Sequence, residues 1–345
     1  MRALLTAKLV RRCKPRAPWH SAGGTRATNE PGSPGRSRCL PNTAAAFCLL
    51  VASGLKMRRL PRSAVACVLC ALFLLVSAAD ADTLDRSRVS VLIETTARDI
   101  GQPFPGVHIH IVDPADHMRL DTANGDASVD FSSLLERING EIAAPLSFAK
   151  SMAIGRQAAF VFLYREMATG LHALSDGRTL CIVYPMPAPL RLAQLALLLS
   201  GNAGSRPVAA VDFEAADFYR FLLYHEVAHC DEDPWRLRSQ GLEAYDIYLA
   251  ESRADAFAVL MHMRRTGRDG LPRFMAQVRQ DGMTFRGDVE HQTAEVIEPA
   301  IAFAMNLRRT GSFDGMSLND LMHAARALTH NHALGREDFD AQRRK

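Results

Sequence analysis

The sequence predicts an α+β chain: a small mixed sheet first, a long helix packed beneath it, and a mostly helical C-terminal half. Three observations predict this. Residues 107–112 (VHIHIV) and 179–184 (TLCIVY) are apolar or alternating runs of strand length, and both precede residue 190. From residue 213 onward, apolar residues recur at helical spacing in segment after segment. No internal repeat of solenoid period is visible.

The elements follow in chain order. Residues 89–94 (VSVLIE) read as a strand, separated from the 107–112 strand by a stretch from Gly101 to Gly106 with two prolines. Residues 155–173 read as a helix, because Phe160, Phe162, Leu163, Met167 and Leu171 lie near helical spacing. The buried strand at 179–184 is stopped by Pro185 and Pro187. Residues 190–199 read as a short apolar helix ending near Gly201. Asp212 is the expected N-cap of a helix over 213–230, whose Phe213, Phe218, Leu222, Leu223 and Val227 supply apolar surface. Asp231, Glu232 and Asp233 oppose the dipole at its end, and Pro234 follows, so the helix stops there. A second long helix spans 243–265 and is ended by Gly267. Further helices are expected at 271–280, 292–308 and 318–334, the last opened by Ser317 and Asp320 as a capping box.

Composition bounds the function. Of 345 residues, 48% are hydrophobic and 23% charged, which is globular and excludes a disordered, collagen-like or coiled-coil chain. The net charge of +4 hides an asymmetry: residues 1–81 hold 13 Lys/Arg and 2 Asp/Glu, leaving 28 against 35 and a net −7 for 82–345. That acidic body supplies no basic face for nucleic acid. Residues 57–81 read as a signal peptide, with Arg58, Arg59 and Arg62, an apolar run at 63–76, and Ala79-Asp80-Ala81 as cleavage site. Retention of the 63–79 segment as an N-terminal membrane anchor is the alternative. Residues 1–56 read as a non-native or disordered extension upstream of a start at Met57, with a cytoplasmic tail as the competing view. The domain then spans 82–345. Its two cysteines, Cys181 and Cys230, either pair in an oxidising compartment or stay as buried thiols.

The chemistry concentrates in His225-Glu226-Val227-Ala228-His229. Positions i and i+4 share one helix face, so both imidazoles can meet one cation. Glu226 is offset by about 100°, beside a metal-bound water rather than on the metal. After 21 intervening residues comes Glu251-Ser252-Arg253-Ala254-Asp255, again with two carboxylates at i and i+4. Burying them together is costly without a cation and a histidine partner. Glu251 can complete a His2Glu zinc site, and Asp255 can fix the His225 ring.

These two segments resemble the gluzincin clan of zinc metallopeptidases, nearest to soluble relatives of the heat-shock and CAAX-prenyl protease branch. The resemblance covers roughly residues 213–262. It implies a zincin-like fold, Zn2+ held by His225, His229 and Glu251, Glu226 as general base, and Asp255 behind the ligands. It further implies an oxyanion donor from the C-terminal part. His291 is the first candidate, with His262, Tyr245 and Tyr248 as fallbacks. The expected partner is a peptide or protein substrate lying along a sheet edge, with residues 178–184 one candidate strand, in a periplasmic or secreted setting. A non-catalytic metal- or peptide-binding module on the same scaffold is the alternative function, and hydrolysis of cell-wall peptide or amide bonds is a variant of the first.

Other groups read more plainly. His108 and His110 share one strand face, as sheet-surface residues rather than a second metal site. His330 and His332 fall at a helix end, where solvent receives them. Asp231, Glu232 and Asp233 read as a solvated loop, with calcium binding the lesser alternative. For Glu251 and Asp255 the plainer, lesser alternative is a solvated helix face with Arg253 nearby.

Overall fold

The segment read as a first strand is a helix. The computed structural model describes residues 83–121, 126–142, 145–164, 167–191, 213–232, 243–286 and 289–344. In it, α1 (Arg86–Ile100) buries Val89, Leu92, Ile93, Thr96 and Ile100, positions three or four apart except for the adjacent pair 92–93. The apolar run at 89–94 was too short to separate a period of 2 from one of 3.6. Asp85 caps the helix by accepting the Arg88 N–H at 2.8 Å, and Gly101 ends it at φ 59°. The signal segment and the extension before it lie outside the described residues. No described helix is long and apolar enough to cross a membrane.

The sheet is mixed, as expected. β2 (Val107–Ile111) runs parallel to β6 (Thr179–Tyr184), and β5 (Ala168–Ala173) pairs antiparallel on the other side. β6 is therefore central and bonded on both flanks, which removes it as a strand able to receive a substrate. Among the described residues β2 and β5 are the sheet's two edges. Two short ladders accompany this sheet: β1 (Thr83–Leu84) with β7 (Leu190–Arg191), and β3 (Met118–Asp121) with β4 (Asp126–Val129). Leu190 thus opens a strand and not a helix, and residues 192–199 lie outside the described part.

The expected helix over 155–173 is two elements. α4 (Phe148–Tyr164) ends first, and β5 begins at Ala168. Met167 and Leu171 belong to strand alternation and not to the helix, since both pack toward the larger core while Ala168 packs on the other side. After the single turn α2 (Pro114–His117), α3 (Phe131–Ile142) and α4 cover the sheet face that carries Leu180, Ile182 and Tyr184. The opposite face, with Ile109, Cys181 and Val183, packs on α5 (Ala215–Ala228).

α5 is the helix expected over 213–230, two residues shorter at each end than predicted. Glu214 stands at its N-cap with no side-chain bond, and Asp212 lies outside the described residues. A 3-10 turn (His229–Asp231) follows. The second long helix, α6 (Ala244–Thr266), is buried along most of its length and closed by left-handed Gly267 at φ 68°. It packs against α5, α8 (Ala294–Arg309) and α9 (Leu318–His332), while α7 (Gly270–Arg286) lies against α8. The capping box forms as read: Ser317 N donates to Asp320 Oδ2 at 2.8 Å and Asp320 N to Ser317 Oγ at 3.2 Å. α10 (Arg336–Arg343) completes the order.

Cys181 and Cys230 form a disulfide, with Cα atoms 5.4 Å apart. It ties the central strand to the residue that follows His229, and so fastens the end of α5 to the sheet.

Candidate metal centre

Three donor atoms converge between α5 and α6. His225 Nε2 lies 3.3 Å from His229 Nε2 and 3.2 Å from Glu251 Oε2. His229 Nε2 lies 3.6 Å from Glu251 Oε1. Ligands at about 2.0–2.2 Å from a tetrahedral cation sit about 3.3–3.6 Å from one another, so the spacing fits one zinc-sized ion. The donor chemistry fits as well. His225 Nδ1 lies 2.7 Å from Asp255 Oδ1, and a neutral ring that donates there, as it would on a cation, turns its Nε2 lone pair toward the other two donors. Among the described residues this is the one group of three such side chains close enough to hold a metal ion.

Each anchoring carboxylate is gripped in turn. Arg279, on α7, donates to Asp255 Oδ2 from Nε at 2.7 Å and to Oδ1 from Nη2 at 3.0 Å. Thr293 Oγ1 adds a bond to Asp255 Oδ2 at 2.5 Å. Burial pushes the Asp255 carboxyl up, but Arg279 and His225 outweigh it and hold it below the usual range. Glu251 is buried too, and the charges of His291 and His225 hold it well below its ordinary value. Burial works against charge on His225, yet Asp255 and Glu251 push it up to about 10. The two buried carboxylates stay charged and favour positive charge between them, as a cation site requires.

The second imidazole has a similar support. His229 Nδ1 lies 3.7 Å from Glu232 Oε1, and Arg253 Nη2 donates to that same oxygen. Asp231 is paired with Arg326, at 2.9 Å from Nε. Asp231 and Glu232 are therefore structural partners and not a solvated loop, and Glu251 and Asp255 are buried and not on a solvated face; Asp233 lies outside the described residues.

Glu226 points elsewhere. Its Oε2 and its main-chain oxygen both face Thr169 Oγ1 of β5, at 2.9 and 2.7 Å. One hydroxyl proton thus serves two acceptors on the same residue. His291 sits in a 3-10 turn (Val289–His291), its Nε2 3.5 Å from Glu251 Oε2, and is partly exposed. The fallback donors are elsewhere. His262 is buried against Phe221 and contacts Thr266 Oγ1 at 3.2 Å. Tyr245 donates to Leu334 O at 3.0 Å and Tyr248 accepts from Leu334 N at 2.8 Å, both against Phe339. They pin α10 to α6.

His108 and His110 share Glu141 of α3, at 3.3 and 2.7 Å, and His110 is buried rather than at a surface. Arg279, Thr293 and Thr169 carried no sequence signal, because each comes from a separate element with no fixed spacing to the motif; Glu232, three residues after His229, was within reach of the helical spacing but reads there only as part of an acidic run.

Compared with known proteins, the chain matches no family model, no curated protein and no solved structure. The fold stands as mixed α+β with small sheets and a mostly helical remainder. The zincin-like reading rests on the two motifs and on the centre they build.

Proposed function

We propose that the chain is a zinc-dependent metallopeptidase, exported from the cytoplasm, that hydrolyses peptide bonds with Glu226 as general base. The observation that carries this reading is the convergence of His225 Nε2, His229 Nε2 and Glu251 on one point, with His225 Nδ1 anchored by Asp255. His225, His229 and Glu251 would hold the ion. Zinc bound there supplies a Lewis acid, which polarises a carbonyl and acidifies a water.

The rest is the work of this chain. Thr169 Oγ1 holds Glu226 Oε2 and leaves Oε1 to take a proton from the attacking water and deliver it to the leaving amine. His291, on the rim beside Glu251, is the candidate donor to the oxyanion. An extended peptide would pair with β5, the sheet edge that also holds the base. The disulfide agrees with an oxidising compartment.

The test is elemental analysis of the purified protein together with hydrolysis of a labelled denatured protein. About one zinc per chain, lost in His229→Ala, with hydrolysis that needs the metal, supports the reading. One zinc per chain without turnover of any peptide would favour the non-catalytic binding module. No zinc after reconstitution would end the proposal.

A further inference from the structure

The outer edge of β5 already carries an amide. Val183 O accepts from Val112 N at 2.9 Å, so the main chain of Val183 faces β2. Val183 is the register partner of Thr169. Theirs is therefore a non-hydrogen-bonded pair, and the N–H and C=O of Thr169 point away from β6. Among the described residues no strand pairs with that edge. Gln157 reaches it from α4 instead, its Nε2 donating to Thr169 O at 3.3 Å.

The carboxamide fits there because residue 170 is glycine. A Cβ on Gly170 would fall 2.5 Å from Gln157 Oε1, well inside contact distance. Strand side chains alternate, so Gly170 faces α4 while the Thr169 hydroxyl faces α5 and Glu226. One residue thus presents its carbonyl to Gln157 and its hydroxyl to the base.

We propose that Gln157 is a placeholder, whose carboxamide N–H occupies the Thr169 carbonyl until an extended peptide pairs with β5 and supplies its own backbone N–H. This rests on the metallopeptidase reading and names the regulation of that same site. A primary amide is the nearest side-chain equivalent of a peptide group, so the exchange replaces one bond by another of the same kind. At 3.3 Å the resident bond is longer than the usual 2.9–3.0 Å, as suits a contact that must yield.

Two variants release the carbonyl by different routes. Gln157→Met keeps the length and removes the donor. Gly170→Ala leaves Gln157 intact and pushes its flexible end aside. The probe is fluorescein-labelled denatured casein with the zinc-loaded full chain: KM and kcat in the otherwise wild-type protein, and Kd by anisotropy in a Glu226→Gln background. Removing a competing hydrogen bond should tighten binding by about 2- to 10-fold in both variants, with the change in KM and not in kcat. Wild-type turnover with unchanged or weaker binding in both variants would overturn the placeholder and leave the peptidase reading intact, with Gln157 a clamp between α4 and β5. A wild-type chain that binds zinc but neither binds nor cleaves the probe would overturn both. Melting temperatures establish that each variant is folded. If Gln157→Met is not folded, Gly170→Ala alone decides.

Discussion

His225 Nδ1 lies 2.7 Å from Asp255 Oδ1, across the interface of two helices, and this contact aims the ring at the other two donors. The carboxylate fixes the tautomer, and Arg279 and Thr293 fix the carboxylate. Asp255→Asn should therefore weaken zinc binding by about 10- to 100-fold, measured by competition with a chromogenic chelator. Asp255→Ala should also cost about 3–5 kcal/mol in urea unfolding, because it breaks the buried ion pair with Arg279. Unchanged zinc affinity in both variants would mean that the ring needs no anchor.

Glu226 Oε2 faces Thr169 and not the donor cluster, so in the proposed mechanism it moves protons and does not bind the ion. Glu226→Gln should keep one zinc and lose about 10²- to 10⁴-fold in kcat. His229→Ala should lose both metal and turnover. Normal hydrolysis by purified Glu226→Gln protein would sink the proposed mechanism.

What the sequence made legible was whatever one helix fixes by itself. His225 and His229, like Glu251 and Asp255, are one turn apart, so their faces follow from the period alone. Their meeting required only that α5 and α6 pack together. Thr169 lies 57 residues from Glu226, and Arg279 24 from Asp255, with a different element carrying each, so no local pattern could announce them. The misread elements have the same cause on a smaller scale. Six apolar or polar letters at 89–94 fit two periods equally, and the burial of Thr96 and Ile100 further along α1 decides between them. At 155–173 the spacing of Met167 and Leu171 is compatible with both a helix and a strand, and no Pro or Gly between Tyr164 and Ala168 marks a break.

The disulfide should matter to the metal as well as to stability. Cys181 and Cys230 are 49 residues apart in sequence, and loop entropy for a link of that span is worth about 4 kcal/mol. Cys230 also follows a proposed ligand directly, so untethering it from β6 loosens His229. Cys181→Ala combined with Cys230→Ala should lower the urea midpoint and weaken zinc binding together. A stability loss with zinc affinity untouched would show that the end of α5 is held well enough without the bond.

His262 gives the fold a pH dependence of known sign. It is buried between α5 and α6, beside Phe221 and Thr266, with Asp217 and Arg268 the charged groups acting on it. Burial dominates and pushes the imidazole down to about 4 from its ordinary 6.5. In the unfolded chain it titrates near 6.5, so as pH falls through that value the unfolded state takes up a proton that the folded state refuses. Stability is unaffected above about pH 7, declines between 6.5 and 4, and flattens below, for a total of about 3 kcal/mol at 1.36 kcal/mol per unit. Substituting Met removes the titrating group and keeps an apolar filler of similar reach. The difference in unfolding free energy between wild type and His262→Met, followed in urea from pH 8 to pH 4, isolates this group, because the metal centre and the surface carboxylates contribute alike to both. The variant should gain on the wild type as pH falls. A difference that stays constant across that range would mean that His262 is protonated as readily in the fold as outside it.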